Sequence, residues 1–246
     1  MGYKPTREVP ESPHHGEDDP LSAGEQDESG TAQRFAFDAV RGTLGASSDV
    51  DSCVALASRI DVLMNEALEF FEKDGAGIAC RPGCNFCCHL RVMVYPHEAI
   101  ALFRYLQSQM PKEQADGVRE RLIENAARIG KLDREGRGST GIACAFLVDG
   151  KCSAYEVRPA ACSGYHSLSK EKCEEGYNNP SGSRDGIPVL KALRYVAAAV
   201  DDGMDEALAE AGLSGARVEL QTAVAALLRN PALIGRWRSG RELLKK

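Results

Sequence analysis

Several things are scarce in this 246-residue chain, beginning with long apolar runs: no stretch approaches the roughly 20 residues needed to span a bilayer, so membrane insertion is not expected. Positive charge is not in surplus either. The formal net charge is −6, which leaves no overall basic field for nucleic acid, although Arg236, Arg238, Arg241, Lys245 and Lys246 make the last stretch locally basic. No early run joins a basic start to an apolar stretch and a small-residue cleavage site, so a secretory signal is not expected. A cytoplasmic location, where thiols stay reduced, is the simplest expectation. Residues 1–34 also lack apolar side chains, with Met1, Tyr3, Val9 and Leu21 the only sizeable ones, and they carry three Lys or Arg against eight Asp or Glu. Such a segment cannot repay its ordering entropy, and 1–34 reads as a disordered acidic tail.

Cysteine is what the chain does not lack. Eight of its nine cysteines fall in two sets: Cys80, Cys84, Cys87 and Cys88, then Cys144, Cys152, Cys162 and Cys173. The spacings are C-x3-C-x2-C-C and C-x7-C-x9-C-x10-C. Thiolates two to four residues apart can converge on one ion from a single loop, and in a reducing compartment this favours zinc, iron or an iron-sulfur cluster over disulfides. Adjacent side chains diverge, so Cys87 and Cys88 are not both expected to join Cys80 and Cys84 around one tetrahedral ion. Three of the first set would converge with a fourth ligand from Cys144, Cys152 or Cys162, cross-linking the sets. The spacing does not choose between two four-cysteine sites and one iron-sulfur cluster with spare ligands.

Outside the clusters the pattern is helical, and a content of 43% hydrophobic residues can fill a core. Cys53, Leu56, Ile60, Leu63, Ala67 and Phe70 form one apolar stripe, with Ser48 or Asp49 as cap and Gly75 and Gly77 as stop. Cys53 on that stripe reads as a packing thiol. Pro96 opens a second helix, a third follows Pro111, and Val189 to Val200, Leu220 to Leu227 and Pro231 to Trp237 suggest three more. Only 90–95 and 145–148 look extended, the latter entering an Asp149-Gly150 turn that returns Cys152 toward the first set. The expected fold is mainly α: a helical bundle over 35–246 with a cysteine-cluster core at 80–173 and at most a short β-ribbon.

Other candidates have ordinary explanations. His89, His97 and His166 read as hydrogen-bonded or surface residues, His166 being the best substitute ligand because it lies four residues beyond Cys162. Arg91 and Lys151 read as surface charges, and Glu98 and Glu156 as surface or capping carboxylates. Arg158 stands apart, embedded between two cysteines in Tyr155-Glu156-Val157-Arg158-Pro159.

These residues resemble the bacterial CxxCxxCC family, a cysteine cluster domain associated with zinc or iron chelation. The resemblance runs over Cys80 to Cys88, Val94-Tyr95-Pro96-His97-Glu98-Ala99 and Cys144 to Cys162. It implies that Cys80, Cys84, Cys87, Cys88, Cys144, Cys152 and Cys162 occupy chelating positions, with Cys173 a feature of a longer-tailed subgroup. The first gap here is three residues rather than two, and Ser163 stands where an Arg often follows the last cysteine. The family also looks related to cysteine-rich flagellin lysine methylases, implying as an alternative an iron-sulfur enzyme that uses S-adenosylmethionine on a protein lysine. Phe86 just before Cys87 offers a second alternative, a radical S-adenosylmethionine enzyme. The chain shows neither a glycine-rich strand-to-helix loop nor alternating strands and helices for either chemistry. The leading expectation is a soluble metal-binding protein, with a protein partner left open.

Overall fold

The computed structural model describes residues 23–44, 49–81, 83–132, 141–179 and 186–244. Helices dominate them: α1 (Ala23–Leu44), α2 (Val50–Lys73), α3 (Pro96–Ser108), α4 (Lys112–Ile129), α5 (Ala160–Ser163), α6 (Lys170–Asn178), α7 (Lys191–Glu210), α8 (Leu220–Arg229) and α9 (Leu233–Arg238). Among the described residues the strands form only two small antiparallel pairs. β1 (Met93–Val94) pairs with β4 (Val218–Glu219), and β2 (Leu147–Val148) with β3 (Lys151–Cys152). The fold is mainly α, and no described helix is long and apolar enough to cross a membrane.

Helix α2 starts where Asp49 accepts the Ser52 N–H at 2.7 Å, satisfying one of the donors that a helix start leaves open. Its buried face begins as expected with Cys53, Leu56 and Ile60, then passes to Met64 and Phe71, leaving Phe70 exposed. The expected stripe alternated steps of three and four, an average of 3.5, whereas a straight helix turns every 3.6 residues. The buried face therefore drifts by about 20° per heptad, enough to exchange Phe70 for its neighbour.

Helix α3 opens at Pro96, whose missing N–H costs nothing at a helix start. In α4, Ala115, Val118, Leu122, Ala126 and Ile129 are buried at core spacing. Helices α1 and α7 form the most extensive pair, and α2 lies along α3. The approach of α1 to α7 is close at Gly203, where a Cβ would collide with the Gln33 carbonyl and come within 3.0 Å of the Phe37 nitrogen.

The acidic N-terminal segment needs correction. Residues 1–22 lie outside the described residues, but α1 begins at Ala23 and Ala32 is buried against the core, so the ordered body starts before residue 35. Residues 23–34 are poor in large apolar side chains yet helical, as the first part of a helix whose later residues pack on α7. Ser48, Lys245 and Lys246 also lie outside the described residues.

Candidate metal centre

The first cysteine set sits on a loop that turns at Gly83, whose φ of +94° favours glycine, and closes into a 3-10 turn over Phe86–His89. Backbone bonds from Cys84 N to the Arg81 carbonyl (2.9 Å) and from Cys88 N to the Asn85 carbonyl (3.0 Å) fold this loop on itself. Ala79 N donates to the Ser167 carbonyl at 2.9 Å and Ser167 N donates to Cys80 Sγ at 3.3 Å, tying the loop to the chain after α5.

Cys144 is held by the helical body. Its N–H donates to the Cys88 carbonyl at 2.7 Å. Asn125 Nδ2 donates to the Ala143 carbonyl at 2.9 Å, Arg121 gives two bonds to the Ala145 carbonyl at 3.0 and 3.1 Å, and Gln221 Oε1 accepts from Ala145 N at 2.9 Å. Asn125 also donates to Gln221 at 2.8 Å, so α4 and α8 grip the same three-residue segment. The hairpin β2–β3 then turns at Asp149 (φ 49°) and Gly150 (φ 74°) and sets Cys152 opposite Leu147, as the turn pair predicts.

Cys162 lies on α5. Glu98 fixes that turn: its Oε1 accepts from Ala160 N and its Oε2 from Tyr95 N, both at 2.8 Å. Glu98 caps as expected but is buried, not at the surface, and burial pushes its carboxyl up to about 7. Glu156 is exposed. Cys173 sits buried on α6, a polar helix capped by Ser169 that the sequence pattern did not reveal.

The thiols fall into two neighbourhoods. Burial pushes Cys80 up to about 11, and the thiols adding to it are Cys84, Cys87 and Cys173; Cys173 is raised by burial, Cys84 and Cys87. Cys144, pushed up to about 12 by burial, also feels Cys152 and Cys87, and Cys162 is raised by burial, Cys144, Cys87 and Cys152. Cys87 is raised far above the usual range by its hydrogen bond with Cys88 and by burial. Cys173 and Cys87 line one small cavity beside the 3-10 turn.

Arg158 is the cation beside this cluster. It lowers Cys87 and Cys152, while Asp61 holds its Nε at 3.0 Å, Asn65 accepts a bond at 2.6 Å and the Tyr155 ring lies 4.1 Å below. Both ends of the Arg158–Asp61 pair are buried, which distinguishes it from the exposed pairs of the surface. Lys151 is exposed as expected, but Arg91 is not an ordinary surface charge, since its Nε is buried without a hydrogen-bond partner.

Of the histidines, His89 meets expectation and His97 does not. His89 Nδ1 meets the Asn85 carbonyl at 3.2 Å and its ring meets Tyr177. His97 is neither hydrogen-bonded nor at the surface: it is fully buried, stacked on Tyr95, with both ring nitrogens unpartnered, and burial lowers it to about 3. His166 Nδ1 is also buried without a partner, and burial together with Arg158 lowers this residue to about 4. Cys53 is buried in the helical core, and the charges acting on it are Asp49 and Arg238 rather than the cluster thiols.

The donor set suits a thiophilic cation. Three sulfurs accept backbone N–H groups, Cys80 from Ser167, Cys144 from Phe146 and Cys152 from Ala154, which stabilises thiolate charge. Among the described residues no three His, Cys, Asp or Glu side chains stand together as a finished metal cage.

Residues 79–180 match the CxxCxxCC family model. That family is described as a domain proposed to chelate zinc or iron. The CxxCxxCC segment takes in all eight clustered cysteines, Cys173 included, and ends before α7. The description supports a metal cofactor and lends no support to an S-adenosylmethionine site. No curated protein and no solved structure matches the chain.

Proposed function

We infer that this protein binds zinc or iron through the thiolates of its CxxCxxCC segment and uses the ion to hold cysteine-bearing loops on a helical body. The observation that carries the reading is the match of residues 79–180, which hold all eight clustered cysteines, to a domain described as zinc- or iron-chelating. Burial and mutual repulsion keep these thiols protonated in the absence of a cation, and a bound ion converts that repulsion into attraction.

The deciding experiment is zinc, iron and acid-labile sulfide content, with a visible spectrum, on untagged protein purified without air. Colourless protein with stoichiometric zinc supports a chelating module. Brown protein with matching iron and sulfide supports an iron-sulfur centre suited to sensing or electron transfer. Cys84→Ser is expected to lower metal content, and Cys53→Ser to leave it intact. Protein that takes up neither metal after anaerobic reconstitution overturns the reading.

A further inference from the structure

We propose that Cys87 and Cys173 form a peroxide-oxidisable pair: hydrogen peroxide entering the cavity that both line joins them in a disulfide that fixes α6 to the 3-10 turn. The pairing stands apart from the chelation reading, and only its consequence for the metal rests on that reading.

Helix α6 is polar along most of its length, and Cys173 is its buried residue. Gly176 and Tyr177, three and four positions further on, share the face that carries Cys173. The Tyr177 ring lies 5.8 Å from Phe86 and 4.7 Å from His89, centroid to centroid, and these two stand on either side of Cys87 in the turn. Ile187 packs at Gly176, where a Cβ would come within 3.1 Å of its Cδ1. These contacts enclose a cavity of about 30 Å³ whose lining includes Phe86, Cys87, His89, Cys173 and Tyr177. That is space for about two waters, and hydrogen peroxide exceeds water by a single oxygen atom. Exposed Gly141 and Tyr177 belong to the lining, so the cavity opens to solvent.

Cys87 has two candidate partners. Its thiol is hydrogen-bonded to that of Cys88, but adjacent residues hold their Cα atoms about 3.8 Å apart, less than the roughly 4.4–6.8 Å that a disulfide spans. Cys173 comes from another element and carries no such constraint, and α6 packs directly on the turn. In the reaction, the thiolate sulfur of one cysteine attacks the O–O bond of the peroxide, giving a sulfenic acid and a hydroxide that takes up the proton the thiol released. The second thiol then displaces the sulfenic oxygen: the S–S bond forms, the S–O bond breaks and water leaves. Two thiols lose two electrons and two protons, and one hydrogen peroxide becomes two waters. The disulfide withdraws two of the eight clustered thiols from chelation, so oxidation releases metal.

The test adds one equivalent of hydrogen peroxide to the full chain as purified, at mildly alkaline pH, and alkylates the remaining thiols under denaturing conditions. The thiol count is expected to fall from nine to seven, nine less the two of the pair, and dithiothreitol to restore it. Tandem mass spectrometry is expected to join Cys87 to Cys173 in the unmodified chain and in Cys88→Ser. A link from Cys173 to Cys80 or Cys84, a bridge between Cys87 and Cys88, or a Cys173 that is still alkylated overturns the pair. If Cys88→Ser fails to fold, the map of the unmodified chain decides. Metal content after desalting reads the consequence: a fall in zinc or iron alongside the link is expected, and an unchanged content overturns the release while the pair stands. A chain that holds no metal before oxidation and takes none up on reconstitution overturns the chelation reading, and the map alone then judges the pair.

Discussion

The α1–α7 helix pair and the Cys144–Cys162 stretch are held in place by different physics. Along the helix pair, small and aliphatic side chains such as Ala32, Ala36, Val40, Leu193 and Val200 are buried, and the backbones approach until only glycine fits at position 203. Around Cys144 and Cys162 the chain is gripped through its backbone polar groups, by Asn125, Arg121, Gln221 and Glu98. Apolar burial is non-directional and tolerates small shifts. A hydrogen bond to a buried carbonyl or N–H fixes position within tenths of an ångström and is costly to leave unmade. A thiol cluster needs the second kind of support, since its sulfurs must meet an ion at a fixed distance.

That contrast is broken most forcefully at Glu98. Glu98→Ala leaves the N–H groups of Tyr95 and Ala160 buried without acceptors, and a loss of about 4 kcal/mol is expected, at the upper end for two such groups. Urea unfolding reads the loss, and metal content per folded chain should fall with it because Cys162 loses its seat. An unchanged unfolding midpoint would show that α5 is held by packing instead.

Gly203→Val attacks the other region. Its side chain would be driven into the α1 backbone, and a loss of about 3 kcal/mol is expected from overpacking. Metal content per folded chain should stay the same. A variant that keeps its stability would mean α1 can move off α7 at little cost.

The smallest effect is one of pH. Buried His97 is lowered to about 3 in the folded chain against an ordinary value of about 6.5, so the unfolded chain binds the extra proton between those limits. Its contribution is fully present above pH 6.5 and is lost progressively as pH falls toward 3. Between pH 6.5 and 5 the loss is about 2 kcal/mol, and His97→Leu should remove it. Equal acid sensitivity in the variant, measured by unfolding at both values, would assign the effect to other groups. Glu98 works in the opposite direction: its raised value makes ionisation increasingly unfavourable as pH climbs toward 7.

Legibility in the sequence follows the same division. Periodicity revealed α2, α3 and α4, because one-sided burial leaves a repeat in the residue pattern. The Asp149-Gly150 turn was equally plain. Helices α6 and α1 were not, since the one is short and polar and the other begins among residues with few apolar side chains; both depend on what they pack against. The clamp on Cys144 was also invisible. Asn125, Arg121 and Gln221 look like ordinary polar helix residues until α4 and α8 bring them to one loop. His97 and Arg91 misled for a related reason, as their type suggests solvent and their position buries them.

By itself the sequence determined the mainly α character, the eight thiols and their suitability for a thiophilic metal, because helix period and thiol chemistry are local properties. Which thiols become neighbours was decided by tertiary structure. Cys173 comes beside Cys87 because α6 packs on the 3-10 turn, and the segments bearing Cys144 and Cys162 are placed by distant side chains. Proximity between residues scores of positions apart is a property of the packed chain, and spacing along the sequence does not encode it.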